Sequence, residues 1–185
     1  MTPNSMVVFD LDGTLIDSDR ALVEPFLELG VPRDEISFGH PIEVECRRLG
    51  IDVDDYIDRY DTTVVMPFPE VAEMVAALGR WAVCSNKHPV SGRAELARLG
   101  WHPEVALFAD AFGGAAKELG PVLDAVGLTA ADVVFVGDTD HDRRCADDVG
   151  CDFIWAGWNP RTLATNPTGT VARHPAEILE LVGLR

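Results

Sequence analysis

Lysine is nearly missing from this chain. Among 185 residues there are two, Lys87 and Lys117, beside thirteen arginines. Arginine serves as the general cation, so a retained lysine is expected where a compact point charge is needed that a flat guanidinium does not mimic. Positive charge is scarce overall. A formal net charge of -16 excludes general binding to nucleic acid or to an anionic membrane surface, because both need a positive footprint. No apolar run reaches the roughly 18 residues of a membrane span, so none is expected. The stretch from Met1 to Met6 lacks a basic region followed by an apolar run, so no secretory signal is expected and the cytoplasm is the expected compartment. The four cysteines, Cys46, Cys84, Cys145 and Cys151, form no CxxC pair. A zinc site is not expected, and reduced thiols are. Internal repeats and low-complexity segments are absent too.

What is present is a hydrophobic fraction of 47%, enough for a real core in one domain or one domain with a modest insertion. Short apolar strands are predicted at Met6–Phe9, Arg80–Cys84, within Ala106–Phe112, at Asp132–Val136, at Asp152–Ala156 and at the edge Thr170–Ala172. Between them run amphipathic helices: Glu70–Leu78, Pro89–Leu99, Lys117–Val126, Asp140–Val149 and Pro175–Leu184, most of them stopped by a glycine. Such alternation implies a parallel sheet covered on both faces, a doubly wound α/β core. The stretch Trp158–Gly169 reads as a loop. After the first strand, Asp19–Leu29, a helix from the Phe38-Gly39-His40-Pro41 turn to Leu49, and Asp52–Thr63 read as three helices with no strand. Glu43 and Arg47 are four apart and are expected to pair.

Ligands of such sheets bind at the carboxyl ends of the strands. Three ends here carry polar chemistry: Asp10 and Asp12; Ser85-Asn86-Lys87; and Gly137-Asp138-Thr139-Asp140-His141-Asp142. Strand side chains alternate, so Asp10 and Asp12 share a face and repel each other unless a cation intervenes or one is protonated. Asp138 offers a third oxygen. Few carboxylates beside a phosphate suit magnesium. Ser85, the Asn86 amide and a helix N-terminus suit an anion, and Gly13 allows close approach. Each piece also has a plainer reading: an Asp-Gly turn, an Asn86 N-cap, and Asp138 and Asp142 as first-turn acids.

Together the motifs DLDGTL (Asp10–Leu15), SNK (Ser85–Lys87), Lys117 and GDTDHD (Gly137–Asp142) resemble the haloacid dehalogenase superfamily. The likeness is to its phosphatase branch, with phosphoglycolate phosphatases and β-phosphoglucomutases. The core resemblance covers about two-thirds of the chain. It implies that Asp10 is a nucleophile forming an aspartyl-phosphate. It implies that Asp12 is the proton shuttle and a metal ligand through its carbonyl, with Asp10 and Asp138 as further Mg2+ ligands. Asp142, Gly13 and Thr14 would support them, and Ser85, Asn86 and Lys117 would hold the phosphoryl group. Lys87 competes with Lys117 for the last role, and Glu118 stands where the family often has proline. Residues 17–66 sit where the family inserts a cap, giving a core of 1–16 and 67–185. Candidate substrate contacts on the cap are His40, Glu43, Arg47 and Arg48. His88 is expected on the surface. The expected activity is magnesium-dependent hydrolysis of a small phosphorylated metabolite by a monomer or homodimer. The alternatives are a phosphomutase of the same superfamily and a non-catalytic partner-binding protein retaining the fold.

Overall fold

A computed structural model describes residues 6–37 and 39–183. Phe38 of the turn predicted before the second helix, and Leu184 of the terminal helix, lie outside the described residues, as does the stretch before Met6. The chain opens with β1 (Met6–Phe9) and a two-residue strand, β2 (Ile16–Asp17). Helices α1 (Asp19–Glu28), α2 (Ile42–Leu49) and α3 (Val53–Arg59) follow. Strand β3 (Met66–Pro67) then pairs antiparallel with β2. Thus a short ribbon closes the base of the helical segment that sequence periodicity read as purely helical. Two-residue strands carry no periodic signal to read.

Next come α4 (Val71–Ala77), β4 (Trp81–Cys84), α5 (Pro89–Leu99), β5 (Val105–Leu107), α6 (Gly120–Val126), β6 (Val133–Gly137) and α7 (Asp140–Val149). The chain finishes with β7 (Asp152–Ala156), α8 (Pro160–Ala164), β8 (Thr170–Ala172) and α9 (Ala176–Leu181). The main sheet has six strands in the order β5-β4-β1-β6-β7-β8, all parallel. Setting the ribbon aside, this is the doubly wound order, which reverses direction beside β1. The crevice at that reversal is where the ends of β1, β4 and β6 meet.

The apolar run of β1 works because it is buried on both faces. Val7 and Phe9 enter one core with Val134 and Val136, while Met6 and Val8 enter the other with Val133 and Phe135. This is the period-two alternation of a strand sandwiched between helix layers. Full burial of side chains such as Phe9, Leu11 and Leu15 stabilises by roughly 1.5–3 kcal/mol each. The helical segment extends the first core: the Phe26 and Tyr56 rings meet tilted, 4.6 Å between centroids, and the Tyr56 hydroxyl donates to the Leu22 carbonyl at 2.9 Å.

Three expectations change. The stretch Trp158–Gly169 is not a plain loop. Asn159 caps α8, its side chain accepting from the Arg161 amide at 2.9 Å, and Pro160 occupies the first turn. The strand expected within Ala106–Phe112 runs from Val105 to Leu107, and Ala109–Phe112 is a 3₁₀ turn. Lys117 stands three residues before α6 rather than inside it, because Gly120-Pro121 begins the helix. No helix among the described residues is long and apolar enough to cross a membrane. Cys46, Cys84 and Cys145 are buried free thiols, and Cys151 is half-buried and also free.

Candidate active site

Asp10 leaves β1 with its amide still bonded to the Val136 carbonyl of β6 at 2.9 Å, which fixes it at the crevice. Its carboxylate is nearly buried and meets Lys117, whose Nζ lies 2.7 Å from Asp10 Oδ1 and 2.5 Å from Asp142 Oδ1. The cap of α7 sets Asp142: the Thr139 hydroxyl and amide donate to Asp142 Oδ2 at 2.6 and 2.9 Å. Lys117 is held in turn by Asn86, whose Oδ1 accepts from the Lys117 amide at 2.7 Å. Asn86 therefore ties the end of β4 to the lysine-bearing segment, beyond any role as a cap. Its Nδ2 also donates to the Gly39 carbonyl of the helical segment at 3.4 Å. Ser85 is buried beside it, and its hydroxyl accepts from the Lys87 amide at 3.3 Å.

Asp138, at the end of β6, sits in a nest of donors. Thr14 Oγ1 donates to Asp138 Oδ1 at 3.3 Å, and Arg161 Nη2 and Asn159 Nδ2 donate to Oδ2 at 2.8 and 3.3 Å. Arg161 also reaches Asp19 at 2.7 Å, and Asn159 also donates to the Gly13 carbonyl at 2.8 Å. Gly13 has φ +80, and a Cβ there would collide with Asp138 and Arg161. The backbone thus comes closer to the acids than any other residue type permits.

One carboxylate oxygen from each of Asp10, Asp138 and Asp142 lies within 4.8 Å of the others, and all three residues are buried. Burial pushes Asp10 up to about 7 against the pull of Lys117, with Asp142 and Asp138 adding to the rise. Burial likewise raises Asp138 to about 6, with Asp142 adding and Arg161 opposing. Burial acts to raise Asp142 as well, but Lys117 and the Thr139 donors outweigh it and hold that acid below its usual range. Lys117 is raised despite its burial, by Asp10 and Asp142. Three acids against two cations leave an excess of negative charge in a dry place. Hard oxygen donors and that deficit fit a magnesium ion.

Asp12 points elsewhere. Lys87 Nζ lies 2.8 Å from Asp12 Oδ1, 3.1 Å from Glu95 Oε2 and 2.8 Å from the Tyr60 hydroxyl, and that hydroxyl donates to Glu95 Oε1 at 2.7 Å. Lys87 and Glu95 are buried, and Tyr60 is nearly so. The two lysines therefore divide: Lys117 faces the Asp10 cluster and Lys87 faces Asp12. Burial pushes Glu95 up to about 7 against the pull of Lys87.

Of the four candidate contacts on the helical segment, His40 lines the cleft. Its Nε2 is 2.8 Å from Glu45 Oε2, and Arg48 clamps the same carboxylate at 2.7 Å. Glu43 stands 4.0 Å from His88 rather than against Arg47, and both Glu43 and Arg47 line an outer groove. His88 is half-buried and borders the cleft. Asp140 is exposed, and His141 Nε2 lies 3.7 Å from Cys145 Sγ.

Sequence reading missed Glu45, Tyr60, Glu95, Asn159 and Arg161. Two signals were available. Glu95 falls on the buried stripe of α5 with Ser91, Gly92 and Leu96, an unusual place for an acid. Asn159-Pro160 is a helix-start pair that a loop-like composition hid.

The sequence matches the haloacid dehalogenase-like hydrolase family over residues 7–156. Among curated proteins it is similar to a phosphoglycolate phosphatase of Xylella fastidiosa, 27% identical over 87% of this chain and 83% of that one. It is also similar to the "Probable phosphatase IndB" of Dickeya dadantii, 30% identical over 85% and 83%. Among solved structures, a hydrolase of the haloacid dehalogenase-like family from Streptococcus pneumoniae superposes with a TM-score of 0.76. It is 21% identical and covers 98% of this chain and 99% of that one.

Proposed function

Because the chain belongs to the haloacid dehalogenase-like hydrolase family, we propose that it is a magnesium-dependent phosphatase of a small phosphorylated metabolite, working through an aspartyl-phosphate on Asp10. One observation carries the reading: Asp10 lies at the sheet's switch point, 2.7 Å from Lys117 and within the buried cluster of Asp138 and Asp142, in the cleft that Ser85 and Asn86 also line. The names of curated relatives agree with phosphoester chemistry.

Asp10 attacks phosphorus, and the bond to the leaving oxygen breaks as the aspartyl bond forms. Asp12, on the same cleft, gives its proton to that oxygen and then takes one from the water that hydrolyses the acyl phosphate. Lys87, itself held by the Tyr60 hydroxyl, fixes the Asp12 carboxylate in one orientation for both transfers. Lys117 and Ser85 receive the charge on the phosphoryl oxygens. Asn86 keeps Lys117 in place through its amide. Asp10, Asp138 and Asp142, with the backbone at Asp12, would hold magnesium, which supplies positive charge against the phosphoryl oxygens when bound.

The test is release of inorganic phosphate from p-nitrophenyl phosphate, with and without magnesium, which also separates hydrolysis from phosphoryl transfer back to substrate. Turnover should require magnesium and fall by about 10³-fold or more in Asp10→Asn, which keeps the shape and removes the nucleophile. Substantial turnover in a folded Asp10→Asn enzyme removes Asp10 from the role.

A further inference from the structure

The helical segment lines the cleft above Asp10 largely with apolar side chains. Leu22, Phe26, Ile36, Ile42, Tyr56 and Ile57, all from the helical segment, face the same cavity as Asp10, Asp12 and Lys117. Leu22, Ile36, Ile42 and Ile57 are only partly buried against the core, so they keep apolar surface toward the cleft.

Among the described residues, no lysine or arginine of the cleft stands without an acid beside it. Lys117 lies against Asp10 and Asp142, Lys87 against Asp12 and Glu95, and Arg161 against Asp138 and Asp19. His40 is bonded to Glu45; His88 Nε2 stands 4.0 Å from Glu43, and its Nδ1 is buried with no hydrogen-bond partner among the described residues. Glu45 itself is saturated. It accepts from the Ser37 amide and hydroxyl, His40 and Arg48, so it locks the loop before α2 and offers nothing to a ligand. A leaving group bearing a carboxylate would have to shed its water against the aliphatic wall and would meet no lysine or arginine that is not already held by an acid. Burying an unpaired charge in that way is strongly unfavourable, whereas burying an apolar group there is favourable.

Accepting the phosphatase reading above, we propose that the substrate is a phosphomonoester of an uncharged, apolar alcohol, and that the helical segment selects it by hydrophobic burial. Carboxylate-bearing esters such as phosphoglycolate are discriminated against. Chemistry at phosphorus is served by Asp10 and Lys117 for either kind of ester, so the discrimination lies in the leaving-group pocket.

The experiment compares two alkyl esters of similar intrinsic reactivity, phenylethyl phosphate and phosphoglycolate, by kcat/KM with magnesium. It also compares their non-hydrolysable analogues, phenylpropylphosphonate and phosphonopropionate, by titration calorimetry. The phenyl compounds should win by at least about tenfold in both measurements, the scale on which apolar pockets discriminate. In Ile57→Lys, shown to be folded by circular dichroism, a free cation enters the wall and the binding ratio should fall by about tenfold or more. Binding of the carboxylate analogue as tight as, or tighter than, the phenyl analogue overturns the proposal. So does an unchanged ratio in Ile57→Lys. Absence of turnover on both esters, with the phenyl preference intact in calorimetry, counts against the phosphatase reading and supports this assignment of the pocket.

Discussion

At Gly13 two requirements coincide on one residue. The backbone adopts φ +80, and the space a Cβ would need is taken by Asp138 and Arg161. Gly13→Ala should therefore lose both stability and magnesium-dependent turnover, since either the backbone or the Asp138 pairing must move. Full activity in that variant would sink the close-approach argument. Lys87 poses a different problem. It is the common partner of Asp12, Glu95 and Tyr60, and its ammonium also lies 4.7 Å from the Tyr60 ring centroid. Its removal strands Glu95 away from water, so Lys87→Ala should destabilise by about 3–5 kcal/mol in urea denaturation. Combining it with Glu95→Gln should recover part of that loss, and strict additivity of the two changes would show that they do not interact.

Among the elements, α2 and the loop before it depend on a single acid. Burial would raise Glu45, but Arg48, the Ser37 donors and His40 outweigh it and bring the carboxyl down to about 2 from an ordinary value of 4.5. A depressed acid contributes stability that is present above its unfolded value and is lost as pH falls through its folded one. The difference in thermal stability between the native protein and Glu45→Gln should thus be largest above pH 4.5 and close toward pH 2. A difference that stays constant across that window would assign the effect to packing. Element α8 shows how a short helix is overlooked. Its five residues hold no apolar stripe, yet it aims Arg161 at Asp138 and Asp19. Local composition describes such a segment poorly, because its helix is stabilised by the Asn159 cap and by docking on Gly13.

For the molecule as a whole, the buried acid cluster is a destabilising feature. Burial of Asp10, Asp138 and Asp142 concentrates charge of one sign at the sheet's centre. A cation bound there only in the folded state raises stability by mass action, about 2.7 kcal/mol at a hundredfold excess over Kd. Magnesium should raise the melting temperature, chelator should reverse it, and Asp138→Asn should blunt the response. A melting temperature indifferent to magnesium would remove the cluster as its site.

Local sequence specifies the doubly wound core and the strand ends that carry Asp10, Asp12, Ser85 and Asp138. Period-two apolar runs and glycine stops are local signals, written within a few residues. Only the folded chain shows that Lys87 turns to Asp12 and leaves Lys117 to Asp10, since Lys87 and Asp12 are 75 residues apart. It also decided that Arg161 reaches Asp19, 142 residues away, and that Glu45, rather than Glu43, locks the loop beside the cleft. Such pairings depend on where packing of the whole sheet and its helices places each side chain, and no window of sequence contains that information.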